Sequence, residues 1–214
     1  MTGAFKQSSF ILSLCVAALV GCTGVESGQP EKHSTMSGVA MATKVCSMCH
    51  GVTGESTSPM FPKLAGQQKE YLKLQLTDFK GHARSDETGT QYMWGFTHLT
   101  DTQIGELADY FSSQSPMKAD PGASNERGEL IFSKGLPESG VIQCNSCHGP
   151  DGQGNAQFPR LAGQHANYLI RQIKVFQLTE QRPRGALMKQ VTHSLSEADA
   201  VAVANYIATL GAKK

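Results

Sequence analysis

Two pentapeptides of the form Cys-x-x-Cys-His stand in this chain, Cys46-Ser47-Met48-Cys49-His50 and Cys144-Asn145-Ser146-Cys147-His148. Thiols one helical turn apart can form thioethers to the two vinyl groups of a haem, and the histidine that follows can reach the iron from the same side. A zinc site or a dithiol redox pair would also use paired cysteines, but neither gives a reason for His directly after the second one. The motifs therefore predict two covalently bound haem c groups, held through Cys46, Cys49, Cys144 and Cys147. His50 and His148 are the expected proximal iron ligands.

The iron's sixth ligand has to come from elsewhere. A thioether is a soft donor that favours Fe(II), so Met opposite His raises the reduction potential. Of the methionines beyond the N-terminal segment, only Met93 and Met188 occupy matching places in the two halves, each in an expected loop just before the last helix of its half. They are the expected ligands. His98 and His193, each five residues after its Met, are the rivals, and they would give lower-potential bis-His sites. Pro62 and Pro159 follow their haem histidines by 12 and 11 residues. A proline there can offer its carbonyl to the imidazole Nδ1–H, which orients the ring and tunes its basicity.

The elements that must position these groups are duplicated. Phe61-Pro62-Lys63-Leu64-Ala65-Gly66-Gln67 returns as Phe158-Pro159-Arg160-Leu161-Ala162-Gly163-Gln164, Tyr71-Leu72 as Tyr168-Leu169, and Met93-x-x-x-Thr97-His98 as Met188-x-x-x-Thr192-His193. A period near 97 residues is a duplicated domain rather than a solenoid repeat. Each half predicts a short helix running into the haem motif and a Gly/Ser/Pro loop. An amphipathic helix (about 67–79, and 164–178) and a Met-bearing loop come next. The final helix is capped by Thr100 in the first half and by Ser196 in the second. One residue fewer separates Met from the final helix in the first half. No stretch carries a strand pattern.

Six cysteines are present. Four lie in the haem motifs; the other two, Cys15 and Cys22, lie in the N-terminal segment. An apolar run from Phe10 to Val20 is too short for the roughly 20 residues that cross a bilayer. It ends in Leu19-Val20-Gly21-Cys22, the pattern of a bacterial lipobox, whose Cys becomes the lipidated first residue; an ordinary cleaved signal is the alternative. The expected organisation is a signal over 1–22, a flexible tether over 23–35, a haem-bearing domain over 36–113, a linker over 114–124 and a second haem-bearing domain over 125–214. Formal net charge is +1, which gives no indication of nucleic-acid binding. The first domain holds six Lys/Arg against eight Asp/Glu and the second ten against seven, so the halves could favour different partners.

With these residues in view, the chain resembles the dihaem cytochrome c4 family over about residues 36–212. The haem motif is shared by every c-type cytochrome; the repeated Phe-Pro-Lys/Arg-Leu-Ala-Gly-Gln is far more specific. The resemblance implies an all-α protein of two tandem cytochrome c domains about a pseudo-twofold axis, each wrapped round one covalent haem, the propionate edges facing each other. It also places the family's Met ligands on Met93 and Met188.

The expected function is single-electron transfer, not catalysis. With both irons six-coordinate no substrate can bind them, and no cysteine is left over for a catalytic thiolate. Redox proteins are the expected partners: a quinol-oxidising complex or dehydrogenase as donor, a terminal oxidase or reductase as acceptor, met in the bacterial periplasm with a lipid anchor at the membrane. A subunit of a dehydrogenase or reductase complex is the alternative. A dihaem peroxidase or thiosulfate-oxidising enzyme would need an iron that opens or a Cys ligand.

Overall fold

The computed structural model describes residues 35–96, 98–122 and 125–211. The expected signal segment, with Cys22, lies outside the described residues, as does nearly all of the expected tether. In the first half the chain forms α1 (Gly38–Met41), a π turn (Ala42–Cys46), α2 (Ser47–His50), α3 (Lys69–Lys80), α4 (Glu87–Met93) and α5 (Asp101–Ser112). The second half follows with α6 (Glu126–Lys134), α7 (Asn145–His148), α8 (Ala166–Leu178), α9 (Ala186–Thr192) and α10 (Glu197–Thr209). Among the described residues no strand forms; two isolated bridges, Leu136–Val141 and Asn155–Phe158, close turns.

Local sequence explains most of these boundaries. Thr100 caps α5 in a complete capping box with Gln103, while Ser196 caps α10 and Asn125 caps α6. The short helix expected to run into the first haem motif is continuous from Gly38 to His50, with a π stretch at Ala42–Cys46. Here the Thr43 hydroxyl bonds the carbonyls of Val39 and Ala40, and Ser47 bonds that of Thr43, so side chains compete for the helical acceptors.

Each half has its own apolar core. Met41, Leu72, Leu99, Ile104, Leu107 and Phe111 form the first, and Ile131, Phe132, Leu169, Val203 and Ile207 anchor the second. The opening helix of each half crosses its final helix, α1 on α5 and α6 on α10. Two glycines allow the crossings. A Cβ on Gly128 would sit 2.2 Å from the carbonyl oxygen of Ala202, and one on Gly38 would sit 2.4 Å from Glu106 Cβ.

Candidate haem sites

α2 and α7 are single turns that end on His50 and His148. Because each motif is helical, both thiols lie on one side of the turn. Each histidine is buried, and an aromatic edge lies beside it: Phe61 against His50 and Phe158 against His148, both at 6.3 Å between centroids. His50 Nδ1 lies 2.8 Å from the carbonyl of Pro62, and His148 Nδ1 lies 2.9 Å from that of Pro159. A carbonyl can only accept, so both Nδ1 atoms carry the hydrogen and both Nε2 lone pairs are left for a metal. Burial lowers the pKa of each imidazole, and the carbonyl bond only partly opposes it. Burial likewise pushes the Cys46 and Cys144 thiols up to about 11.

The proline carbonyls are held by the loop around them. Gly54 O accepts from the backbone N–H of Leu64 and Ala65, and Gly152 O accepts from those of Leu161 and Ala162. Gly54 and Gly152 have φ of 79° and 67°, in the left-handed region that a side chain disfavours. The far end of each loop is then tied to the final helix, Gly66 N–H to Phe111 O and Gly163 N–H to Ile207 O.

Both motifs open into one continuous cavity of about 780 Å³. Met93 and Met188 line it, together with Pro62, Pro159, Tyr71 and Tyr168. His98 and His193 are exposed and do not line it. The expectation that the two methionines sit in loops needs correction. Met93 is the last residue of α4, and Met188 lies inside α9. Asp86 caps α4 by accepting from Gly89 N–H, which stabilises a helix in a segment whose Gly and Thr content suggests a loop. The spacing difference between the halves is visible here: a 3₁₀ turn, Trp94–Phe96, follows Met93, whereas α9 runs on to Thr192.

Between the two motifs the cavity wall turns polar. Arg84 donates to Asp86 at 2.7 Å and to Gln75 at 2.9 Å, and Arg182 donates to Gln75 at 2.9 Å and to Gln172. Arg160 is also buried, and its Nε has no hydrogen-bond partner. Buried guanidinium charge in an apolar cavity matches a large apolar ligand that carries carboxylates on one edge. Among the described residues no group of three or more His, Cys, Asp or Glu could hold a bare ion, so an iron here has to bring its equatorial donors. The residues present therefore fit haem.

A second feature escapes the sequence reading. Gln67 Oε1 accepts from Arg160 N–H at 2.6 Å and its Nε2 donates to Arg160 O at 2.9 Å. Gln164 makes the same pair with Lys63, both at 2.9 Å. Each half thus grips the residue just after the other half's haem-loop proline. The repetition of both glutamines was the available signal, but not their partners.

The family described as Cytochrome c matches residues 36–115 and again 126–211. Cytochrome c4 of Thiocapsa roseopersicina is 37% identical, covering 86% of this chain and 96% of its own. The solved cytochrome c4 structure of Acidithiobacillus ferrooxidans is 39% identical with a TM-score of 0.72, covering 77% of this chain and 98% of that one. A thiosulfate dehydrogenase electron acceptor of Stutzerimonas stutzeri is 32% identical over 93% of this chain and 94% of its own. Redox proteins are the partners that such relatives imply. The chain belongs to the cytochrome c family, in its dihaem cytochrome c4 branch: an electron-transfer protein with two covalent haem c groups, not an enzyme.

Proposed function

We propose that Cys46, Cys49 and His50 hold one haem and Cys144, Cys147 and His148 the other, with Met93 and Met188 as the distal ligands. The observation that carries this reading is that each repeat-matched Met shares a cavity with a buried histidine whose Nδ1 is bonded to a proline carbonyl. The iron supplies a one-electron Fe(II)/Fe(III) couple when bound. The chain's own contribution is to bury the site, to hold each imidazole in one tautomer through Pro62 and Pro159, and to present a soft sulfur that favours Fe(II). On this reading 36–113 and 125–214 are the two haem domains and 114–124 the link between them.

The test is a redox titration with optical spectra. Two low-spin haems with a Met–iron charge-transfer band are expected. Met93→His and Met188→His should each lower one potential, by a sizeable part of the roughly 0.8 V that axial ligands span. Unchanged potentials in both variants would place the sixth ligand elsewhere.

The reading extends to location and partners. Residues 1–22 act as a lipoprotein-type signal, Cys22 becomes the lipidated N-terminus, and residues 23–35 tether the haem domains to a membrane on the periplasmic side. Electrons come from a quinol-oxidising complex or a dehydrogenase and leave to a terminal oxidase or reductase. The similarity to a thiosulfate dehydrogenase electron acceptor favours, of these two donors, a dehydrogenase, one acting on a sulfur compound, over a quinol-oxidising complex. Reduction of the purified protein by one donor class and not the other distinguishes them.

A further inference from the structure

The two methionines that line the haem cavity are seated differently. In register with them, Tyr92, Met93 and Trp94 of the first half match Leu187, Met188 and Lys189 of the second. The Asp86 carboxylate caps α4, whereas α9 starts after Gly185 with no side-chain cap. The Tyr92 ring meets Phe61 edge-on, 5.1 Å between centroids and 83° between planes, and Phe61 in turn lies against His50. Trp94 donates its indole N–H to the Arg84 carbonyl at 3.0 Å, and its ring packs on His82 at 4.7 Å. Met93 is thus pinned through both of its chain neighbours. The second half keeps Phe158 beside His148 but sets Leu187, 47% exposed, where the partner ring would stand. Lys189 pairs with the exposed carboxylate of Glu180. Gln177 holds α9 at its far end, donating to the carbonyls of Thr192 at 2.6 Å and Leu195 at 2.9 Å.

A thioether is a soft donor and a weak partner for Fe(III). An entering ligand has to displace the sulfur together with the segment that carries it, so whatever anchors that segment lowers the ligand's apparent affinity. We propose that the oxidised second haem is a binding site for small strong-field donors, nitrogen bases and anions of the cyanide type, which displace Met188, while the first haem stays closed. The step is a ligand exchange: the Met188 sulfur leaves the iron, the donor's lone pair takes its place, and no electron moves. Electron transfer remains the protein's activity, and occupancy of the second site would interrupt it. Tyr92 is a positioning residue, acting on Met93 through Phe61 rather than by touching the iron. The inference rests on the His/Met reading of both sites and adds to it an inequality that the repeat would otherwise hide.

The test titrates the oxidised holoprotein with imidazole. It follows the Met–iron charge-transfer band and the haem methyl resonances, assigned through their contacts to the Cys46–Cys49 or the Cys144–Cys147 segment. The band should fall in two equal steps, the second haem's first, at least about tenfold apart in imidazole concentration, as expected of one ring pair and one hydrogen bond. The reduced protein should keep both sulfurs at concentrations that fill the second ferric site. Tyr92→Leu should raise the first haem's affinity about fivefold and leave the second unchanged. Leu187→Tyr, which sets a ring opposite Phe158, should lower the second haem's affinity about fivefold. A shift in melting temperature without a change in haem-specific affinity would reduce Tyr92 to a structural role and overturn the proposal. So would a single unresolved step, opening of the first haem first, or no binding at either. If Tyr92→Leu does not fold, Leu187→Tyr decides the matter. A Met–iron band absent before any imidazole is added would sink the His/Met reading itself, whereas a full band lost from both haems together would sink only the inequality.

Discussion

Asp86 is wholly buried and serves two purposes at once. It pairs with Arg84 at 2.7 Å and it caps α4, the helix that ends on Met93. Burial pushes its carboxyl up, but the charge and hydrogen bond of Arg84 outweigh that, so it titrates below the ordinary carboxylate value. A lowered folded pKa means stability that is present above the unfolded value, near pH 4, and is lost as pH falls through the folded one. Removing one partner of a buried pair costs about 3–5 kcal/mol. Asp86→Asn should therefore be much less stable than the unaltered holoprotein in urea at pH 7, and the gap should close as the pH falls below about 4. A gap that stays constant across that range would show the carboxylate's charge to be irrelevant. The motif histidines are legible in sequence because five adjacent residues carry the whole chemistry. Asp86 is not, because its partner and its cap both depend on where the chain turns.

At the level of elements, the helix crossings are the tightest points. Gly128 packs against backbone of α10, where a Cβ would meet the Ala202 carbonyl oxygen at 2.2 Å, so nothing flexible can move aside. Gly128→Ala is expected to cost about 1–3 kcal/mol through overpacking, although alanine is intrinsically the better helix former by about 1 kcal/mol. Thermal unfolding of the holoprotein checks this; a stabilised variant would mean that α6 can slide on α10. Helix identities and caps follow from local pattern, as Thr100 with Gln103 and Ser196 demonstrate. The π turn, and the helices bearing Met93 and Met188, do not follow from apolar periodicity. The π turn depends on hydroxyls bonding the backbone and the helix bearing Met93 on the Asp86 carboxylate, whereas α9 begins after Gly185 with no side-chain cap.

Across the whole molecule the joint between halves is polar, built around the reciprocal glutamine grip. Each glutamine satisfies a buried N–H and a buried C=O that would otherwise lack partners, and leaving a buried group unsatisfied costs about 1–3 kcal/mol. The double variant Gln67→Ala/Gln164→Ala should separate the unfolding of the two halves, so that one calorimetric transition becomes two. It should also loosen both proline carbonyls and broaden the haem resonances. A single unshifted transition would show that other contacts carry the coupling, with the Arg84–Gln172 and Arg182–Gln75 bonds the first to consider.

The sequence by itself determined the cofactor, its number, the duplication and the capped final helix of each half, because covalent attachment and helical caps are written within a few adjacent residues. Only the tertiary structure decided which residues meet across the joint. Gln164 reaches a backbone 101 residues away, and Arg160 is left buried without an acid while Lys63 takes two. Such pairings depend on how two similar halves dock, and no local periodicity encodes a contact whose partners lie a whole domain apart.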